Sequence, residues 1–239
     1  MKTLAIIPSK QRPSLFQKVC RPFVDSLGID VLLVLEKEDY NNYDYPNKLM
    51  LDQSNCGLGY ALMEGKRYAE QNGYDIIFKI DDDVSQIGDI AKDLQQILEY
   101  FNKYPGLGAV VFPYDFEFYA KSKKLFTHIN KRIQTCYIIR TATLCHRKGI
   151  NTFEDFYQFF NLVNKNQFTL FCARHSIKCK PVGSGKGGCQ AFNRKEQAIK
   201  EIQIFQSIDP TVGITIKEDK SWYYEPKFNG EQYKSKKIQ

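Results

Sequence analysis

The sequence predicts an α/β fold built on a mostly parallel central sheet flanked by helices, and three observations carry that expectation. Four short apolar runs, TLAIIPS (3–9), DVLLVLE (30–36), DIIFKI (75–80) and LGAVVFP (107–113), have the continuous hydrophobicity of strands buried on both faces. The stretches between them carry helix signals, so strand and helix alternate through the first half of the chain. Such alternation is satisfied by parallel strands joined by right-handed helical crossovers. Open sheets of this kind bind ligands beyond the carboxyl ends of their strands, and each of the four runs delivers the chain into a polar turn there.

The first run is closed by Pro8 and leads into a helix expected over 14–27. The second is followed by a Tyr/Asn/Pro loop and a helix over 59–71 that Gly73 can terminate. After the third, Ile87, Ile90, Leu94, Ile97, Leu98 and Phe101 recur at helical spacing and place a helix before the fourth strand. The second half is less regular. TCYIIRTATL (135–144) and FTLFCA (168–173) read as strands, 153–163 and 196–205 as helices, and VGSGKGGCQ (182–190) as a glycine loop. Neither an internal repeat nor a low-complexity linker divides the chain, so one domain is expected over 1–239.

With 239 residues and 43% hydrophobic composition, the chain can bury a sizeable core and is too apolar to be disordered. Its longest apolar runs fall far short of a membrane span, and Met1-Lys2-Thr3 leads into a strand without a signal-peptide pattern. A soluble cytoplasmic protein is expected. Seven cysteines, an odd number in a chain too large to need staples, suggest reduced thiols. Cys172, His175, Cys179 and Cys189 could be drawn as zinc ligands, but their spacing matches no common finger, and Cys172 sits in an apolar run.

The third strand ends in three consecutive carboxylates, Asp81, Asp82 and Asp83, in a chain of net charge +7. Adjacent carboxylates repel one another, and a divalent cation relieves that repulsion. Along an extended chain Asp81 and Asp83 point to one side and Asp82 to the other. Oxygen ligands of this kind suit Mg²⁺ or Mn²⁺, ions that also bind phosphates. The alternative is an exposed acidic turn at the start of the next helix, where negative charge is favourable.

The order of IIPSKQRP, a second strand, and then NCGLGYALMEGKRYAEQNGYDIIFKIDDDV resembles the donor half of GT-A fold glycosyltransferases. In that family a Pro-Ser/Thr-x-x-Arg-Pro-like turn follows the first strand, an Asn-x-Gly-x-x-x-Ala helix start comes next, and a later strand ends in Asp-x-Asp. The matching residues are Pro8, Ser9, Arg12 and Pro13, then Asn55, Gly57, Gly59 and Ala61, then Asp81 and Asp83. The resemblance implies a GT-A-like (Rossmann-like) sheet with a smaller mixed sheet on the acceptor side. It divides the chain into a nucleotide-sugar half (1–115), an acceptor half (116–220) and a tail (221–239). It implies Pro8, Ser9, Arg12, Asn55, Gly57, Gly59 and Asp81 as donor contacts, with the glycines letting backbone approach the donor. Asp83 with Asp81 would hold Mn²⁺ or Mg²⁺, and a UDP-sugar would be the co-substrate. Many relatives carry Arg-Asn shortly after the glycine helix start, where this chain has Leu62 and Met63. Glu154 and Asp155 match a Glu-Asp pair that opens a helix in the acceptor half, where in inverting members the Asp is the general base. The alternative there is capping, with Thr152 as N-cap. Some relatives use a late histidine as a third metal ligand, and His175 is better placed for this than His128 or His146.

From Lys121 to Lys195 the chain holds fifteen Lys or Arg and two acids, a charge of +13 that leaves −6 for the rest. Phe126, Tyr137, Phe153, Phe156, Tyr157 and Phe168 lie among these charges and could stack on bases. A polyanionic acceptor, DNA, is the expected partner, met by Glu154, Arg140 and Lys186. Size, charge and the aspartate triplet resemble the phage and TET/JBP-associated glycosyltransferases of 5-hydroxymethylpyrimidines in DNA. That resemblance implies transfer to 5-hydroxymethylcytosine presented out of the stack. The alternatives are a glycan, lipid-linked or protein acceptor, a nucleic-acid-binding protein without catalysis, and a metal-dependent nucleotidyltransferase. The last would need a glycine-rich phosphate loop after the first strand, and PSKQRP contains no glycine.

Overall fold

The computed structural model describes residues 1–115, 122–147, 149–179, 194–216 and 224–238. The four apolar runs become β1 (Thr3–Ser9), β2 (Asp30–Leu35), β4 (Ile76–Lys79) and β6 (Leu107–Val111). A short β3 (Lys48–Met50) follows β2, and β7 (Phe126–Ile129), β8 (Tyr137–Arg140), β9 (Phe168–Cys172) and β13 (Lys236–Lys237) complete the main sheet. The nine strands lie in the order β13-β7-β9-β6-β8-β4-β1-β2-β3. Parallel pairing links β3, β2, β1 and β4, and also β6 with β9, while β8 and β7 run against their neighbours. Since β13 is antiparallel to the reversed β7, seven of the nine strands share one direction.

Strand alternation divides the core in two. Ala5, Ile7, Leu33, Phe78 and Ile138 face α4 (Ile90–Lys103) and the helical run after β1. Leu4, Ile6, Val34, Ile77 and Ile139 face α3 (Leu58–Gln71), α5 (Glu154–Asn164) and α6 (Arg194–Ile208). Close contact between α3 and β1 depends on Gly65, where an added Cβ would lie 2.9 Å from Ile6 Cγ2 and 3.0 Å from its Cδ1. Alanine has the better helix propensity by roughly 1 kcal/mol. Gly65→Ala is nevertheless expected to destabilise the protein by about 1–2 kcal/mol in a denaturant melt, because overpacking a filled layer outweighs propensity.

Several elements differ from the sequence reading. The helix expected over 14–27 is α1 (Pro13–Leu15), a π-turn (Phe16–Cys20) and α2 (Arg21–Asp25). Pro22 has no N–H to give to the preceding turn, and the wider π-turn absorbs that loss, with the Arg21 N–H bonding back to the Phe16 carbonyl. Ile87 belongs to a strand, β5 (Val84–Ile87), rather than to the helix after the triplet. In place of one smaller mixed sheet there are two antiparallel ribbons: β5 with β10 (Ile177–Cys179), and β11 (Gly213–Ile216) with β12 (Tyr224–Lys227). The glycine loop expected at 182–190 lies outside the described residues. No described helix is long and apolar enough to cross a membrane.

Candidate active site

The site begins at the carboxyl end of β4, where the chain leaves the sheet at Ile80 and turns through the three aspartates. Each aspartate has different surroundings. Asp82 turns inward and is buried, accepting a hydrogen bond from Ser9 Oγ (2.5 Å) and a charged one from Arg12 (3.1 Å). The Tyr43 hydroxyl completes that clasp, 2.7 Å from Ser9 Oγ while accepting the Arg12 backbone N–H at 2.9 Å. Burial raises the proton affinity of Asp82, against the pull of Ser9 and Arg12. Among the described residues Asp83 has only a 3.9 Å contact with Arg12, and its side chain is 25% exposed. Burial, then the charges of Asp81 and Asp82, push its pKa up to about 6.

Asp81 is tied to Lys79, which sequence reading passed over as part of a strand. Lys79 shares its sheet face with Ile77 and lies across from Tyr137 on β8; it is 1% exposed. Its ammonium donates to Asp81 Oδ1 and to the Thr135 carbonyl (2.7 Å). Burial alone would favour the neutral amine, but Asp81 and then Glu154 outweigh it and keep the proton on Lys79. Lys79→Met is expected to cost about 2 kcal/mol in chemical denaturation. Removing one member of a buried pair costs roughly 3–5 kcal/mol, and the exposure of Asp81 reduces that figure.

The same sheet face brings α5 to this point. Glu154 and Asp155 open that helix, and Asp81 lies near enough to both Lys79 and Glu154 to raise the proton affinity of each. Burial raises the pKa of Glu154, Asp155 adds to the rise, and Lys79 opposes it. Burial likewise raises Asp155, against the pull of Arg132 and of the Phe156 N–H, which donates to Asp155 Oδ1 at 2.8 Å. Thr152 is not the N-cap: Phe153 occupies that position without a side-chain cap. Glu154 thus lies within electrostatic reach of Asp81 and Lys79, more than 70 positions earlier in the sequence.

Other expected contacts fall elsewhere. Pro8 is half-buried at the end of β1. Asn55 adopts left-handed backbone (φ 58°) and closes a triangle, its N–H donating to Glu36 (2.8 Å) and its Oδ1 accepting from Lys10 (2.6 Å). The space beside the glycines is taken by this chain: a Cβ on Gly57 would lie 2.4 Å from Asn151 Oδ1, and one on Gly59 1.9 Å from the His146 ring. The close approach these glycines permit is therefore to the loop before α5, not to a donor.

Arg140 is not an acceptor contact. Its position pairs with Ile76, at the far end of β4 from the triplet, and its guanidinium donates to the carbonyls of Phe101 and Tyr104 at the end of α4 and of Leu107 at the start of β6. Lys186 lies outside the described residues. Phe126, Tyr137, Phe153 and Phe156 are buried in the core, which leaves only Tyr157 and Phe168 half-buried among the aromatics expected to stack on bases. Arg174 pairs with Asp93 (2.7 Å), and Arg132 covers the Phe156 ring (4.0 Å).

His175 bonds the same Asp93 at 2.8 Å, a clasp at the start of α4 rather than a metal contact. Among the described residues no three His, Cys, Asp or Glu side chains converge as a metal cage, so Cys172, His175 and Cys179 do not form a zinc site together.

No protein-family model and no curated protein matches the chain. Among solved structures it is similar to a protein from STIV, with 20% identity, 76% of this chain and 86% of the other covered, and a TM-score of 0.48. It is also similar to the Drosophila β-1,4-galactosyltransferase 7 in complex with manganese, UDP-Gal and xylobiose (13% identity, 82% and 79% covered, TM-score 0.49). A third is a mannose-1-phosphate geranyltransferase from Thermus thermophilus (11% identity, 74% and 76% covered, TM-score 0.46). All three likenesses are low, and shared sheet architecture does not carry an activity from one chain to another.

Proposed function

We propose that this chain is a metal-dependent glycosyltransferase that moves a sugar from a nucleoside diphosphate, a UDP-sugar, to a hydroxyl group. The observation that carries this reading is that two carboxylate groups lie on one side of the sheet, with Glu154 within electrostatic reach of Asp81 and Lys79 at the end of β4. One is a triplet whose members have different partners, and the other is the half-buried Glu154–Asp155 pair. Asp83, lacking a short partner among the described residues, is the carboxylate suited to Mn²⁺ or Mg²⁺, with Asp81 beside it. Such ions keep several waters and use substrate phosphates as ligands, so they need no cage of three protein side chains. When bound, the ion supplies Lewis acidity toward the departing diphosphate. Arg12 and Ser9 hold the turn rigid through Asp82, which fixes where Asp83 points. Asp155 accepts the proton of the attacking hydroxyl, and Lys79 anchors Asp81 by donating to its Oδ1.

The finer reading, in which the hydroxyl belongs to a 5-hydroxymethylpyrimidine in DNA, is supported by the +13 charge of residues 121–195. Calorimetry with UDP, with and without Mn²⁺, tests the donor site; UDP binding indifferent to Mn²⁺ would sink the metal-dependent reading. Mass spectrometry of nucleosides from hydroxymethylated DNA incubated with UDP-sugars tests the acceptor. A mass gain on a glycan and none on DNA would reassign it.

A further inference from the structure

A carboxylate with no assigned role lies behind α5. Glu201, on α6, is fully buried, and nothing in its sequence context marks it out. Its Oε1 accepts the backbone N–H groups of Asn151 (2.9 Å) and Thr152 (2.9 Å) and the Gln197 amide (2.8 Å). Its Oε2 accepts those of Thr152 (3.0 Å) and Phe153 (2.9 Å). Three consecutive N–H groups closing on one anion form a backbone nest, and here the anion belongs to the chain itself. Because a buried carboxylate is costly unless its oxygens are satisfied, this geometry is strongly determined at both ends.

The nest residues are the last three before Glu154 and Asp155, on a helix whose own N-cap supplies no side-chain bond. Asn151 also fills the space beside Gly57, immediately before α3. One carboxylate therefore fixes the loop that presents the carboxylate pair and seats it against the neighbouring helix. Only an anion with two acceptor oxygens fits. An amide at this position would turn an NH₂ toward an N–H, leaving one or two donors without a partner.

We propose that Glu201 is a positioning residue that sets the placement of Glu154 and Asp155 relative to the β4 carboxylates, and that turnover depends on it without its touching substrate. This rests on the glycosyltransferase reading for its kinetic part and on the geometry alone for its positional part. Glu201→Gln and Glu201→Asp are compared with the wild-type chain by UDP calorimetry with Mn²⁺, by steady-state transfer or donor hydrolysis, and by amide hydrogen exchange.

In Glu201→Gln the amides of 151–153 are expected to lose at least about tenfold in protection while those of β1 and β4 keep theirs. Turnover falls about tenfold or more, with UDP affinity and the donor KM within about twofold. Glu201→Asp keeps both oxygens on a shorter stem and is expected to recover part of the turnover and of the protection at 151–153. Unchanged protection at 151–153 in Glu201→Gln overturns the positional claim, whether or not the wild type shows transfer. Lost protection with unchanged turnover overturns the kinetic claim. A wild type that neither binds UDP nor turns over refutes the transferase reading alone. If Glu201→Gln does not fold, Glu201→Asp decides by itself: local loss of protection at 151–153 with a lowered kcat upholds the role, and wild-type values for both overturn it.

Discussion

Asp83→Asn is expected to abolish Mn²⁺-dependent UDP binding and lower transfer by about a hundredfold or more, while making the metal-free protein more stable. Both effects follow from the surroundings of one carboxyl group. Burial and the charges of Asp81 and Asp82 raise its pKa to about 6, well above the usual carboxylate range. The folded state therefore binds the Asp83 proton more tightly than the unfolded chain does. From this group alone, stability is greatest once pH has fallen below the unfolded value near ~4, and it is lost as pH rises toward about 6. At neutral pH the ionised Asp83 costs the metal-free protein about 3 kcal/mol, and asparagine removes that cost. Urea melts at neutral pH should thus give a higher midpoint for Asp83→Asn than for wild type, with the difference closing below about pH 4. Added Mn²⁺ with UDP should raise the wild-type midpoint and leave that of the variant unmoved. A variant less stable than wild type at neutral pH would contradict the proposed strain.

Asp155→Asn is expected to reduce turnover by about a hundredfold to ten-thousandfold, the range for losing a positioned general base, with UDP affinity within about twofold of wild type. Its neighbour supplies the contrast. Burial and the adjacent Asp155 charge both raise the pKa of Glu154, which shifts it toward its protonated form. Glu154→Gln preserves that neutral shape and is expected to keep kcat within about threefold. Because burial also raises Asp155, the acid limb of the wild-type pH–kcat profile should lie above the ordinary aspartate range. Near-normal turnover in Asp155→Asn, or a larger loss in Glu154→Gln than in Asp155→Asn, would exchange or remove these roles.

The long buried elements were legible in the sequence because hydrophobic periodicity reports burial directly. β1, β2, β4, β6, α3, α4 and α5 all lie within a few residues of where the apolar pattern puts them. Short strands were not legible. β3, β10 and β13 have two or three residues each and exist through the partners they meet, which no local window contains. Part of the site was visible and part was not. The triplet stands out as charge density, whereas Lys79 had a weaker signal, a lone cation in an apolar strand two residues before Asp81 and thus on the same side of an extended chain. Glu201 had no signal, because its bonds reach back 48–50 positions. Arg140 shows the opposite failure. A basic residue in a basic segment suggested a surface role, yet reversal of β8 carries it to the far end of the sheet.

That reversal of β8 also governs how the protein comes off the ribosome. β8 is inserted between β4 and β6, both of which are synthesised before it. When residue 115 has been made, five strands of the main sheet exist, but the place between β4 and β6 is empty, and each presents an open backbone edge toward it. At that stage Lys79 also lacks the Thr135 carbonyl that later accepts its hydrogen bond. The chain must pass through a nascent state with two sticky edges and a partly satisfied interior charge, the kind of intermediate that aggregates or engages chaperones. A chain cut after residue 115 should therefore be insoluble rather than a small folded domain, even though most of the recognisable sequence signature lies within it.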